Sequence, residues 1–140
     1  MENIKSKKIA LITGATSGIG EATAKKLASK FSLILCGRRE ERLEKLKQEL
    51  SSKVKVHTLK FDIRNKEHVF EAIKSIPSAF KKIDVLINNA GNAHGLSPID
   101  KGEISDWEAM IDINVKGLFY VSKAIVPTMV GQKSGHIINI

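Results

Sequence analysis

Three glycines, Gly14, Gly18 and Gly20, lie within residues 13–20, directly after the apolar residues 9–12. Glycine lets a chain turn sharply and leaves no side chain in the way of a phosphate, and the N–H groups at the start of a following helix attract an anion. Three glycines after a strand also fit an ordinary tight turn, and the G-x-x-x-G-x-G spacing differs from the commoner G-x-G-x-x-G fingerprint. The order of strand, turn and helix favours the first interpretation, so the run predicts a site for the pyrophosphate of a dinucleotide.

Two arginines, Arg38 and Arg39, follow Cys36 and Gly37 at the end of the predicted second strand, about 20 residues after the glycine-rich run. In NAD-binding sites an acidic residue at this place accepts hydrogen bonds from the adenosine ribose. Here there is no carboxylate, and two guanidinium groups suit a 2′-phosphate better, which predicts NADP rather than NAD. The alternative is that both arginines are the exposed start of the next helix, although two cations there are mildly unfavourable with the helix dipole.

Two later segments carry polar residues directly after predicted strands. Asp62, followed by Ile63, can accept a hydrogen bond from the amino group of adenine, or it is a turn residue before the helix that Asn65 caps. Residues 88–91, Asn-Asn-Ala-Gly, are small and polar, which lets the backbone approach a ribose, although by themselves they also fit an ordinary turn.

Short β-rich segments alternate with stretches of helical periodicity, which predicts a parallel sheet covered by helices. We predict strands near residues 8–13, 33–36, 54–61, 84–88 and 136–140, and helices near residues 18–31, 40–51, 66–80 and 106–130. Ser105 and Glu108 predict a capping box at the start of the last helix. That helix is apolar on more than one face, so it needs cover from the sheet and also from a further element or a partner subunit.

Length and composition predict one soluble domain. The chain has 140 residues, and no apolar run approaches the roughly 20 residues that span a bilayer. Residues 1–8 carry charges without the apolar run of about 7–15 residues that follows them in a secretory signal, so we expect no such signal and a cytoplasmic location. Cys36, the single cysteine, is expected in the core. The net charge of +8 comes from cations interleaved with glutamates, as in residues 39–47, so we expect neither nucleic acid nor membrane as a partner.

Together with Asn114, these motifs occur in the order and spacing of the short-chain dehydrogenase/reductase family, which the chain resembles over essentially its whole length. The segments that look most like NADP-dependent 3-hydroxy acid dehydrogenases, which oxidise serine or allo-threonine, are residues 37–43, 92–95 and 135–140. The 3-oxoacyl-carrier-protein reductases share most of these motifs, so that alternative stays open. The resemblance implies a three-layer α/β fold with a doubly wound parallel sheet of the Rossmann type and the strand order 3-2-1-4-5.

The resemblance also implies a role for each matching residue. The residues expected to bind the pyrophosphate and the adjoining ribose are Gly14, Thr16, Ser17, Gly18, Ile19 and Gly20. Those expected at the 2′-phosphate, the adenine and the nicotinamide ribose are Arg38 and Arg39, Asp62 and Ile63, and Asn89, Ala90 and Gly91, respectively. Asn114 matches the family's catalytic asparagine, which distorts its helix and holds a water in the proton relay to the catalytic lysine. No metal site is implied.

Members of the family continue for about another hundred residues, with a catalytic serine just past the fifth strand and a Tyr-x-x-x-Lys pair on the next helix. Here Tyr120 precedes Lys123 with the wrong spacing and on the wrong side of that serine position. We therefore expect residues 1–140 to be an NADP-binding domain that is truncated after the fifth strand and inactive by itself. The parent enzyme would be a homo-oligomer, a dimer or a tetramer, that transfers hydride between NADP and a small 3-hydroxy acid or its carbonyl counterpart. The alternative is a non-catalytic NADP-binding module.

Overall fold

The computed structural model describes residues 7–140. The expected lack of a secretory signal rests partly on residues 1–6, which lie outside the described residues. The strands are β1 (Ile9–Ile12), β2 (Ser32–Gly37), β3 (Val56–Lys60), β4 (Ile83–Asn88) and β5 (His136–Asn139). The helices are α1 (Gly18–Leu27), α2 (Glu40–Leu50), α3 (Lys66–Lys74), α4 (Ile104–Ile111) and α5 (Leu118–Gln132), with a π-helical segment at Asp112–Gly117 and a 3₁₀ turn at Ser78–Phe80.

The five strands form one parallel sheet with the order β3-β2-β1-β4-β5, which confirms the predicted doubly wound topology. All four residues of the central strand β1 are buried, as expected for a parallel sheet that is covered on both faces. After β3 the chain returns to the other side of β1 and adds β4 there. In such sheets ligands bind outside the carboxyl ends of the strands at this reversal.

Alternating residues of β1 point to opposite faces of the sheet and into two hydrophobic clusters. Leu11 packs in one cluster with Ile125 of α5, and Ile12 packs in the other with Leu43 of α2. Cys36 belongs to the first cluster and is 1% exposed, which confirms its prediction as a core residue. Burial raises the pKa of its thiol far above the ordinary value.

The third helix is shorter than predicted. It ends at Lys74 instead of continuing to residue 80. Pro77 lies in the predicted second half of that helix, has no N–H to donate and disfavours helical backbone in the residue before it. Asn65 caps this helix as predicted, because its side-chain oxygen accepts a hydrogen bond from the backbone N–H of His68 at 3.0 Å.

The last predicted helix is two α-helices, α4 and α5, joined by the π-helical segment Asp112–Gly117. The residue before α4 is Glu103, which has extended backbone, so Ser105 already lies inside the first turn. The predicted capping box of Ser105 and Glu108 is therefore wrong, since a capping side chain must stand outside the helix. Among residues 7–140, no helix is both long enough and apolar enough to cross a bilayer.

Candidate dinucleotide-binding site

The glycine-rich run connects β1 to α1 at the carboxyl edge of the sheet. Gly14 has a φ of +62°, which other residues rarely adopt, and a Cβ there would lie 2.9 Å from the Cα of Ala90. A Cβ at Gly20 would collide with the carbonyl oxygen of Gly14 and would lie 2.5 Å from the amide nitrogen of Asn89. These two glycines therefore let α1 and the loop after β4 come close to the turn.

Thr13 and Asn89 tie the loop after β4 to this turn. The Thr13 hydroxyl accepts hydrogen bonds from the backbone N–H groups of Asn89 (3.0 Å) and Ala90 (2.9 Å) and donates to the carbonyl of Ile87 (3.4 Å). The Asn89 side-chain amide donates to the carbonyls of Thr13 and Gly14, both at 3.2 Å. Thr13 is 1% exposed, so water does not compete for these bonds. Thr13 was not among the residues predicted from the sequence.

The side chain of Arg39 reaches back from the start of α2 to the glycine-rich turn. Its Nη2 donates to the hydroxyls of Thr16 and Ser17, each at 3.2 Å. Ser17 directly precedes α1 but makes no side-chain capping bond, so it satisfies none of the free N–H groups of the first turn. A guanidinium and an uncapped helix N-terminus therefore meet at one place, which suits a phosphate group.

These elements border a cleft of about 410 Å³ at the carboxyl ends of β1 to β4. All the residues predicted to bind the cofactor line this cleft, except Gly18 and Gly20. The lining residues that were not predicted are Thr13, Cys36, Gly37, Phe61, Asn92, Ile113 and Ile140. The fold thus brings together, in one space, the groups predicted for the pyrophosphate, the 2′-phosphate, the adenine and the ribose.

Asp62 enters the cleft just after the end of β3, and Arg64 holds its carboxylate. Arg64 donates to Oδ1 from its backbone N–H and from Nε, each at 3.0 Å, and to Oδ2 from Nη2 at 2.6 Å. Hydrogen bonding by Arg64 lowers the pKa of Asp62 below its ordinary value, and the charge of Arg38 adds a smaller effect in the same direction. Asp62 is therefore an ionised acceptor at neutral pH. Arg64 was not predicted as a site residue.

Asn114 lies in the π-helical segment and at the rim of the cleft rather than in its lining. The resemblance implies a distorted helix at this asparagine, and the π-helical segment is such a distortion. The side chain of Asn114 bonds to the main chain of Asn92, which does line the cleft.

Tyr120 and Lys123 lie away from the cleft. Both line a shallow groove beside α3 and α5, together with Phe70 and Phe119. Within the described part of the chain, residues 7–140, no group of three or more histidine, cysteine or acidic side chains is arranged to hold a metal ion.

Comparisons with known proteins agree with one another. The family model described as short chain dehydrogenase matches residues 8–140. The NADP-dependent 3-hydroxy acid dehydrogenase YdfG of Salmonella typhi is 47% identical over 133 residues, and sulfoacetaldehyde reductase 2 of Chromohalobacter salexigens is 46% identical over 134 residues. Each match covers 94% of this chain and 53% of the relative, so the chain spans about half the length of these curated relatives.

A solved structure has a fold similar to that of this chain. The closed form of serine dehydrogenase complexed with NADP+ superposes on this chain with a TM-score of 0.87 and 44% sequence identity. The match covers 94% of this chain and 52% of that one.

Proposed function

This chain belongs to the short-chain dehydrogenase family, and from that premise we propose that its cleft binds NADP in an oxidoreductase that acts on a small 3-hydroxy acid. The observation that carries the proposal is the pair of arginines after β2. Arg38 lines the cleft, and Arg39 both lines it and donates to hydroxyls of the glycine-rich turn. Residues 36–39 contain no carboxylate, so this donor set fits the extra phosphate of NADP better than the free ribose hydroxyl of NAD.

Each part of the cleft is proposed to bind a different part of the cofactor. In the proposed arrangement the turn between β1 and α1 holds the pyrophosphate, Arg38 and Arg39 hold the 2′-phosphate, and Asp62 accepts a hydrogen bond from the adenine. The loop after β4 holds the nicotinamide ribose, because Thr13 and Asn89 fix it against the turn. NADP, when bound, accepts or supplies the hydride.

For Asn114 we propose a positioning role beside the proton relay. It contacts the main chain of Asn92 at the rim of the cleft, so it orients the loop that borders the substrate side. Sequence similarity supports a small anionic substrate. One relative is named a 3-hydroxy acid dehydrogenase, and another a sulfoacetaldehyde reductase, at nearly equal identity.

Activity of the purified protein tests this proposal. We expect the parent enzyme, but not a polypeptide of residues 1–140, to reduce NADP with L-serine, L-allo-threonine or 3-hydroxyisobutyrate, as measured by the absorbance of the reduced nicotinamide. Gly18→Trp is the control, because it places a large side chain at a position with a φ of +55° in the glycine-rich turn. Turnover of only sulfoacetaldehyde or only a 3-oxoacyl thioester would replace the proposed substrate class. A protein that binds no NADPH would refute the proposal.

A non-catalytic NADP-binding module is the second candidate. Tyr120 is the single tyrosine among residues 1–140, and it lies in the groove beside α3 rather than in the cleft. No phenol of these residues therefore serves as the proton donor that reduction of a carbonyl requires. A polypeptide of residues 1–140 is expected to bind NADPH without turnover. The coding sequence after Ile140 distinguishes the two candidates. A serine and a Tyr-x-x-x-Lys pair there would support the dehydrogenase, and a stop codon would support the module.

We also propose a homo-oligomer located in the cytoplasm. Ile111, Val115 and Phe119 follow one another at intervals of four residues and are 52%, 42% and 63% exposed, respectively. A partner subunit would remove this apolar surface from water. Sedimentation of the purified protein is expected to give a mass above that of one chain, and Phe119→Glu is expected to reduce it.

A further inference from the structure

Arg64 contacts Asp62 but does not line the cleft. Asp62 lines both the cleft and a shallow groove behind it, whereas Arg64 lines the groove, together with Asn65 and Tyr120, and not the cleft. The Nε of Arg64 also lies 3.1 Å from Oδ2, so the guanidinium faces both oxygens of the carboxylate. Arg64 therefore acts on an occupant of the cleft through Asp62 and not by direct contact.

The contacts with Arg64 leave Asp62 able to accept one more hydrogen bond and unable to donate any. An ionised carboxylate has about four acceptor positions and no donor. Arg64 directs three donor hydrogens at these positions: the backbone N–H donates to Oδ1, Nη2 donates to Oδ2, and the single Nε hydrogen is shared between the two oxygens. Because both oxygens are held, the carboxylate cannot rotate to adapt to a different partner.

We infer that Arg64 is a positioning residue that determines which base the cleft accepts. By fixing Asp62 as an acceptor, it favours a purine with an exocyclic amino group, as in adenine, over a purine with a carbonyl at that place, as in hypoxanthine. An amino group donates to the carboxylate, whereas a carbonyl oxygen there would face another acceptor, with no hydrogen between the two. This inference rests on the proposed binding of NADP.

The test compares the binding of NADPH and of its hypoxanthine analogue to the purified protein, measured by nicotinamide fluorescence. For the unaltered protein we expect the Kd of NADPH to be lower by about tenfold or more, the factor that a hydrogen bond to a charged group supplies. Arg64→Gln removes the positive charge and the guanidinium that bonds to both oxygens of Asp62. The ratio of the two Kd values is then expected to fall to about threefold or less, mainly through weaker binding of NADPH.

Lys66→Gln is the matched control for Arg64→Gln. It also removes one positive charge, two residues further along the chain, from a side chain that pairs with Glu67 and does not line the cleft. We expect this variant to keep the ratio of the unaltered protein. Arg64→Lys keeps the charge but cannot bond to both oxygens of Asp62 at once, so an intermediate ratio of the two Kd values is expected. It also provides a second variant if Arg64→Gln unfolds.

Asp62→Asn tests whether Arg64 acts through the carboxylate. The asparagine amide can both donate and accept, so the ratio is expected to fall close to one in this variant. Adding Arg64→Gln to Asp62→Asn is then expected to change the ratio no further, because the group through which Arg64 acts is already gone. A merely structural role of Arg64 would weaken both dinucleotides equally and leave the ratio unchanged.

Several outcomes overturn the inference and leave NADP binding in place. One is a ratio near one in the unaltered protein, and another is an unchanged ratio in both Arg64→Gln and Arg64→Lys. A third is an equal effect of Arg64→Gln with and without Asp62→Asn, since the arginine would then act on the base directly. If the folded, unaltered protein binds neither dinucleotide, both the inference and the proposed function are refuted.

Discussion

The side chain of Asn114 forms two hydrogen bonds with the main chain of Asn92: Oδ1 accepts from its N–H and Nδ2 donates to its carbonyl, each at 2.8 Å. A Cβ at Gly91 would lie 3.1 Å from the same Oδ1, so the loop passes close to Asn114 at two successive residues. The near end of this loop is held by the hydroxyl of Thr13. The segment predicted to contact the nicotinamide ribose is therefore fixed at both ends by side chains from other elements.

Asn114→Ala is expected to release the far end of this loop. Two hydrogen bonds are lost at an exposed position, so we expect the free energy of unfolding to fall by about 1–2 kcal/mol and amide exchange at Asn92 to become faster. Hydrogen–deuterium exchange and urea unfolding measure these effects. Asn92→Ala is the control, because Asn114 contacts only the main chain of that residue. Unchanged protection at residue 92 in Asn114→Ala would contradict the prediction.

Thr13→Val is expected to destabilise the near end of the loop. Valine has nearly the shape of threonine but leaves the backbone N–H groups of Asn89 and Ala90 without their acceptor, so we expect a loss of about 2–4 kcal/mol in urea unfolding. Thr13→Ser keeps the hydroxyl and removes one methyl group, which costs about 1 kcal/mol. Equal stability of the valine and serine variants would show that the hydroxyl is unimportant.

Arg38→Ile and Arg39→Ile are expected to weaken the use of NADPH and to change that of NADH little. Removing one charge-assisted contact with a phosphate corresponds to about a tenfold to hundredfold loss in kcat/KM. Arg42→Ile is the control, because Arg42 is exposed on α2 and does not line the cleft. Both cofactors are compared at one ionic strength, since salt screens this contact. The assignment fails if NADH serves the unaltered enzyme as well as NADPH does.

A new carboxylate is not easily introduced at Gly37, the residue before Arg38. A Cβ there would lie 2.8 Å from Cγ2 of Thr16, so a side chain at Gly37 would force the side chain of Thr16 to move. Arg38→Asp is therefore the better variant for a switch to NADH.

The ion pair of Asp62 and Arg64 is expected to stabilise the fold only where Asp62 is ionised. The pair lowers the pKa of Asp62 in the folded state, so its contribution is present above the pKa of the unfolded chain, about 3.9, and is lost as the pH falls through the folded-state value. We expect the urea midpoints of the unaltered protein and Arg64→Gln to differ at pH 7 and to converge in acid. A difference that stays constant with pH would exclude this ion pair as the cause.

The fold was predictable from local patterns, because the buried strands are apolar segments bounded by polar or glycine-rich turns. The ends of elements were less predictable. Ser105 and Glu108 have the spacing of a capping box, but α4 begins two residues earlier than that box predicts, at Ile104. The end of α3 was signalled by Pro77, whereas helical periodicity alone continued past it.

Two of the site residues that were missed, Thr13 and Arg64, were hidden for different reasons. The partners of Thr13 lie 76 and 77 residues away, so only the assembled sheet brings them together, although a hydroxyl directly before the first glycine is a usable signal. Arg64 lies two residues from Asp62, but an arginine at that spacing can equally extend into solvent. Nothing in the sequence distinguishes Arg38 from Arg39, whereas in the structure only Arg39 forms hydrogen bonds with the glycine-rich turn.

The π-helical segment Asp112–Gly117 also sets the rotational phase of α5. A π turn takes one residue more than an α turn, so everything after it is set back by about 100° relative to an uninterrupted α-helix. The side chains that α5 buries are Val121, Ile125 and Met129. Deleting one residue from the segment would restore an uninterrupted α-helix and leave Val121, Ile125 and Met129 facing the sheet, because the deletion removes the extra residue of the π turn. An α-helix through the same residues without a deletion would instead bring Tyr120, Ala124 and Thr128 to the sheet, so the extra residue of the π turn keeps two hydroxyl groups out of the core.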